Sequence, residues 1–252
     1  MNSNMINLIY RFLPPKMLIS TVCFAIMKRL TSNLGSNTQQ KTTIRELNGL
    51  VHAFIASYLS ITAFLSEPKL ELDLIHSNNT WAENCVNIST GYFLADTLII
   101  IYQWLRIGKN EENTFNASIL FHHLAAFGAF YYALCSNLFM GYSTMCLLLE
   151  VSSIFLKGRK IWKVNNLPGI GDIRYQILAV VNLTLFIVFR LFVIVFAIVW
   201  WSKNINRLPF LYSLLPFSGS IVVGVINFRY FHLLLKSDIM PIIKSYAKPK
   251  TL

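Results

Sequence analysis

Two adjacent histidines, His122 and His123, lie inside an apolar stretch, residues 115–136, and a carboxylate, Glu150, lies inside the next one. A charged group at the centre of a hydrocarbon layer costs about 2.5 kcal/mol or more, so groups of this kind call for a protein-lined cavity and a task within it. One chemistry suits these types. An imidazole can take the proton of an amine or hydroxyl that attacks a thioester, and a carboxylate can orient that imidazole or stabilise its protonated form. The same groups would equally serve as interhelical hydrogen bonds that hold a bundle together, and the sequence leaves both readings open. His52, Asp96, Ser153 and Arg190 are further polar residues in apolar segments. They are candidates for the lining of the same chamber, with Asp96 and Arg190 also a candidate buried pair if their helices touch.

These groups must be positioned by helices. Hydrophobic residues make up 55% of the 252 positions and charged residues 13%, about half the roughly 25% of a soluble domain. A large soluble core is therefore excluded. Apolar windows near twenty residues recur along the chain, at about 7–27, 47–66, 91–107, 115–136, 138–156, 175–201 and 208–235, and predict one polytopic domain. The first window is interrupted by Arg11, Pro14, Pro15 and Lys16, and a cleaved signal peptide is its rival reading. At 1.5 Å per residue, His52 falls about one turn, and His122 and His123 about two turns, inside the same side of the layer. Glu150 precedes the boundary residue Lys157 by seven positions, so all four groups are expected in one half of the bilayer. Adjacent helical residues project about 100° apart, so one histidine should face the cavity while the other braces a neighbouring helix.

A net charge of +11 raises the question of nucleic acid, but the basic residues follow the loops rather than one face, and no nucleic-acid partner is expected. Alternating loops under seven spans put fifteen Lys and Arg on one side and three on the other. That asymmetry predicts a cytosolic C-terminus and a cytosolic 157–174 loop. The opposite loop, 67–90, is acidic and carries sequons at Asn78 and Asn87, expected glycosylation sites on the lumenal side. Sequons at Asn116 and Asn182 fall at a cytosolic helix end and within a span, and are discounted. The ending Lys248-Pro249-Lys250-Thr251-Leu252 resembles a dilysine retrieval signal, which points to the endoplasmic reticulum. Among the four cysteines, Cys85 and Cys135 lie near the lumenal side, where pairing is one option. No histidine spacing suits a metal, and none is expected.

The ordered set Gly91-Tyr92-Phe93-Leu94-Ala95-Asp96, His122-His123, Leu148-Leu149-Glu150-Val151-Ser152-Ser153 and Asn182 through Phe189-Arg190 resembles the TLC domain family, over roughly residues 42–240. That family groups ceramide synthases, a translocon-associated membrane protein, a ceroid-lipofuscinosis protein and smaller TLC domain-containing proteins. In the ceramide synthases a histidine pair is followed by two aspartates on the next span. Here the first acidic position falls on Glu150 and the second on Ser153. The departure sets sphingoid-base acylation in doubt and makes the chain more similar to the smaller members, which are linked to membrane phospholipid composition or trafficking.

The resemblance implies an all-α polytopic protein of about seven transmembrane helices, six of them forming a bundle around a chamber. An N-terminal anchor helix and cytosolic loop (1–41) would precede the TLC-like domain (42–240) and a cytosolic tail (241–252). The expected function is control of membrane phospholipid or sphingolipid composition in the endoplasmic reticulum, by acyl transfer from acyl-CoA as co-substrate to a membrane-lipid acceptor. His122 or His123 would be the base and Glu150 its orienting partner, with no cofactor. The basic 157–174 loop could attract the CoA phosphates, or be ordinary positive-inside charge. The alternative is a non-enzymatic lipid-sensing or cargo-binding membrane protein.

Overall fold

Local signals place the helix starts. Asn37 accepts from the Gln40 amide at 2.8 Å ahead of the helix Thr38–Ser66, and Asn79 accepts from the Ala82 amide at 2.8 Å ahead of Thr80–Ile107. Asp172 caps Ile173–Phe186 through the Arg174 amide at 2.8 Å. In each case a short polar side chain satisfies one of the amides that a helix leaves without an internal partner. Pro15 opens Pro15–Ser32, a position where its missing N–H is no loss. The computed structural model describes residues 12–32, 34–107 and 114–247. The retrieval-like tail with Lys248 and Lys250, and residues 7–11 of the first expected span, lie outside the described residues.

Helix makes up 87% of the structure and no strand occurs among the described residues, as expected of an all-α multi-pass membrane protein. Among the described residues, five helices are long and apolar enough to cross a membrane: Thr38–Ser66, Thr80–Leu105, Ile119–Ser136, Ile173–Arg207 and Pro216–Tyr246. Two of the seven expected spans are not among them. Pro15–Ser32 carries Lys16, Lys28 and Arg29 in only 18 residues, and the stretch expected at 138–156 divides at Leu148 into Met140–Leu147 and Leu149–Val164.

The chain packs as two compact units, Met1–Asn33 with Ile55–Leu147, and Leu34–Phe54 with Leu148–Leu252. In the first, Thr80–Ile107 packs against Pro15–Ser32 on one side and Thr114–Ser136 on another. The first of these contacts is close. A Cβ on Gly91 would stand 2.6 Å from the Met17 carbonyl oxygen, and Ser20 Oγ donates to the Ile88 carbonyl at 2.9 Å. Ala63, Leu70 and Ala82 form a small buried cluster in the same unit.

In the second unit Ile173–Phe186 buries Tyr175, Ala179, Asn182 and Phe186, spaced as one helix face. The helix then widens into a π-helical segment, Ile187–Phe192, before resuming as Val193–Asn204. A second π-helical segment, Leu235–Ile239, joins Phe210–Leu234 to Met240–Ala247. Each π segment carries one residue that matters below, Arg190 and Asp238.

Candidate functional site

In the first unit the polar centre is Asp96 on Thr80–Ile107. One carboxylate oxygen, Oδ2, lies 2.5 Å from His123 Nδ1, and the other, Oδ1, takes an ion pair from Lys28 Nζ. The three side chains are only 11 to 15% exposed. Aromatic rings close the group in. Lys28 Nζ stands 4.8 Å over the Tyr92 ring, Phe24 meets Tyr92 edge-on at 5.1 Å, and the His123 ring lies 5.2 Å from that of Phe93. His122, the sequence neighbour, is exposed and meets Phe93 at 6.4 Å. The 100° offset splits the two histidines, with His123 turned to the carboxylate and His122 exposed. A histidine held at Nδ1 by a carboxylate presents Nε2 as its base, the arrangement that general-base catalysis uses.

The second unit has its own intramembrane charges. The guanidinium of Arg190 donates to Ser152 Oγ, Ser153 Oγ and Asn227 Oδ1, each at 2.7 Å, and its Cζ lies 5.4 Å from the ring centroid of Phe186. Glu150 lies near His52, Arg190 and Lys157 and accepts from the Ser153 hydroxyl, which places that hydroxyl between a guanidinium and a carboxylate. His52 is fully buried at 1% exposure. Asn182 is as deeply buried, and neither atom of its amide has a hydrogen-bond partner among the described residues.

A third group sits at the other end of the second unit. Asp238, 1% exposed, accepts from Arg159, from Lys163 Nζ at 2.8 Å and from the Tyr175 hydroxyl at 2.8 Å. Glu46 accepts from Lys160 Nζ at 2.5 Å. Beside them, Arg174 hydrogen-bonds Asp172 and holds its carboxyl below the usual carboxylate range.

Residues 47–236 match the TLC domain. The chain belongs to the TLC domain family. It is 26% identical to TLC domain-containing protein 2 of Danio rerio over 190 residues, which covers 75% of this chain and 74% of that protein. With TLC domain-containing protein 1 of Rattus norvegicus it shares 27% identity over 237 residues, 90% of each chain. TLC domain-containing protein 4-B of Xenopus laevis is 26% identical over 131 residues, 52% of this chain.

The TLC domain so defined holds every residue singled out for chemistry. His122, His123 and Asp96 belong to the first unit, and His52, Glu150, Ser153 and Arg190 to the second. Each group has partners inside its own unit. The expected pairing of Asp96 with Arg190 is replaced: Asp96 takes Lys28 and His123, while Arg190 takes three neutral oxygens. On the same helix as Asp96, Tyr92 is buried and Gln103 is exposed. Asn78 is exposed just ahead of Thr80–Ile107. Asn87 is 3% exposed, and its Nδ2 donates to the Glu83 carbonyl at 2.9 Å, which leaves that nitrogen engaged in the folded unit. Cys85 is buried, and its Sγ donates to the Ala56 carbonyl at 3.5 Å.

Sequence reasoning missed three participants. Lys28 counted as a loop charge, yet its one-residue separation from Arg29 near a helix end hides that the two point differently. Asn227 lies in an apolar span and was a visible polar intrusion. Asp238, the sole acid between 173 and 252, stood among basic residues where pairing could have been foreseen.

Proposed function

We propose that this TLC domain protein acts in membrane lipid homeostasis by acyl transfer, with His123 as the general base. The observation that supports this reading is the 2.5 Å approach of Asp96 Oδ2 to His123 Nδ1, with Lys28 ion-paired to the other carboxylate oxygen. Acyl-CoA is the co-substrate and the hydroxyl or amine of a membrane lipid the acceptor. As the acceptor heteroatom bonds to the thioester carbonyl carbon, its proton passes to His123 Nε2. The C–S bond then breaks, and the CoA thiolate takes the proton back from the imidazolium. Asp96 holds the ring and stabilises its cationic form, the part that the sequence had assigned to Glu150. His122, exposed beside Phe93, would contact the acceptor. Glu150, Ser153, Arg190 and His52 supply the polar lining of the second unit. Residence in the endoplasmic reticulum with a cytosolic C-terminus accords with the basic 157–174 loop, the acidic 67–90 loop and the lysine-rich ending.

Retention of lipid without turnover is the competing reading, favoured by Arg190, whose three neutral acceptors suit a scaffold rather than a reacting centre. Purified protein in liposomes, supplied with labelled acyl-CoA, separates the two. Labelled lipid should form with the unaltered chain and disappear with His123→Ala, while Tm is preserved. Absence of labelled product across acceptor lipids, together with an unchanged cellular lipid profile in His123→Ala, would sink the acyl-transfer reading.

A further inference from the structure

The residues that match the TLC domain begin at 47, yet Lys28, from the helix Pro15–Ser32 ahead of them, reaches Asp96. Four contacts fix how that helix lies on Thr80–Ile107. Lys16 Nζ donates to Asn84 Oδ1 at 3.0 Å, and Ser20 Oγ donates to the Ile88 carbonyl at 2.9 Å. The Phe24 ring meets that of Tyr92 at 5.1 Å, and Lys28 ion-pairs with Asp96. Each pair is 68 positions apart, and its members recur every four residues along both helices. A constant offset means that the two helices run parallel in one register, with the i, i+4 ridge of each laid against the other. Gly91 keeps the ridges close, because only a residue without a side chain admits the Met17 carbonyl there.

That register decides where the Lys28 ammonium goes. Its Nζ stands over the Tyr92 ring, one turn before Asp96 on the same face, and the side chain is nearly buried. The consequence falls on Asp96. The terminal torsion of an aspartate is broad, so a carboxylate held by one partner sweeps a wide arc. Held through separate oxygens by two partners on two helices, it is fixed. Lys28 takes Oδ1, and Oδ2 is left facing His123 Nδ1. Which ring nitrogen of a neutral histidine carries the proton is set by the hydrogen bond that nitrogen makes.

We propose that Lys28 is a positioning residue of the histidine site: it holds the Asp96 carboxylate where it keeps His123 in the Nδ1–H tautomer, with Nε2 bare. The helix Pro15–Ser32 is then a working part of the site, and residues 47–236 alone carry an incomplete one. Lys28 touches no reacting atom and acts through Asp96. Its kinetic effect rests on the acyl-transfer reading, whereas its effect on the tautomer does not.

Two measurements on the full chain in nanodiscs provide the test. In ¹⁵N spectra of histidine-labelled protein, the His123 signal is assigned by its disappearance in His123→Ala. The unaltered protein should show the Nδ1–H form, and Lys28→Met should move His123 toward the Nε2–H form. In the acyl-transfer assay Lys28→Met should lower kcat about 10- to 100-fold with KM little changed, the loss that follows removal of an orienting partner. In an Asp96→Asn background the same substitution should change kcat less than about twofold, since the carboxylate through which it acts is gone. Insertion of one alanine after Met27 turns the ammonium by about 100° and leaves the three earlier contacts in place. It should act as Lys28→Met does, and it decides the matter if Lys28→Met fails to fold. A His123 that stays in the Nδ1–H form in both variants overturns the proposal, as does a full kinetic effect in the Asp96→Asn background. If the unaltered chain turns over no lipid, the acyl-transfer reading fails and the tautomer alone decides the role of Lys28.

Discussion

Replacing Asp96 by Ala removes the carboxylate that Lys28 and His123 share. All three side chains are at most 15% exposed, so solvent can do little to relieve the remaining ammonium. Removal of one partner from a buried pair costs about 3–5 kcal/mol. Lys28→Met is the informative contrast. It leaves Asp96 against His123, so the carboxylate keeps one polar partner and the loss should stay nearer to about 1–2 kcal/mol. The double variant Lys28→Met/Asp96→Leu replaces both charges by apolar groups and should recover most of the stability lost in Asp96→Ala. The two single losses should together exceed that of the double variant by about 3 kcal/mol or more, so positions 28 and 96 are strongly coupled. Thermal unfolding of the purified variants in one detergent or nanodisc gives the order, with unaltered protein and the double variant above Lys28→Met, and Asp96→Ala lowest. The reasoning fails if Asp96→Ala unfolds within experimental error of the unaltered protein, or if Lys28→Met is the more damaging change.

Arg190→Lys keeps the charge but gives up the planar fork that reaches Ser152, Ser153 and Asn227, and should lose about 2 kcal/mol in thermal unfolding of the second unit. Gly91→Ala drives a methyl group to 2.6 Å from the Met17 carbonyl and should cost about 1–3 kcal/mol, visible as a lower Tm and faster amide exchange in Pro15–Ser32. The Asp172 cap should persist in mild acid. Because hydrogen bonding to Arg174 depresses its folded pKa, its contribution is present above the unfolded carboxylate value of about 3.9 and is lost as pH falls through the folded one. Hydrogen exchange at residues 173–176, followed from neutral pH downward and corrected for intrinsic rates, should show loss of protection only at the acid end. In a eukaryotic cell, Asn78→Gln should remove a glycan that Asn87→Gln leaves in place, read as a shift in electrophoretic mobility.

The class of fold was legible because its cause is compositional: chain segments that are apolar all round can be satisfied only by a lipid solvent and a helical backbone. Where helices would break was not legible. The division at Leu148 involves a residue still in right-handed helical backbone, φ −61° and ψ −21°, and no Gly or Pro marks it. At the candidate site, His123 and Asp96 stood out as polar intrusions in apolar runs. Their pairing did not, since Lys28, Asp96 and His123 are separated by 68 and 27 positions and depth arguments rank groups along a helix without saying which faces meet. Depth therefore matched Glu150 to the histidines and Asp96 to Arg190, while the packing of Thr80–Ile107 against Pro15–Ser32 and Thr114–Ser136 supplied other partners for Asp96. Arg190 stood out as a polar intrusion, but its partners escaped prediction for a further reason. Its orientation is set by a π-helical turn, and regular helical periodicity misplaces every side chain that follows one.

That turn makes chain length a determinant of orientation inside a membrane helix. A π-helical turn amounts to an α-helix with one residue inserted. Deleting one residue from 187–192 would allow ordinary pairing to close, and the segment Val193–Asn204 would rotate by about 100°. Ala197 and Trp201, now buried, would swing out, and the guanidinium would leave its three oxygens. Loops ordinarily absorb insertions and deletions without consequence. Here a gain or loss of one residue in a hydrophobic span acts as a rotation, so in related sequences a length change at 187–192 or 235–239 should travel together with exchange of Arg190 or Asp238.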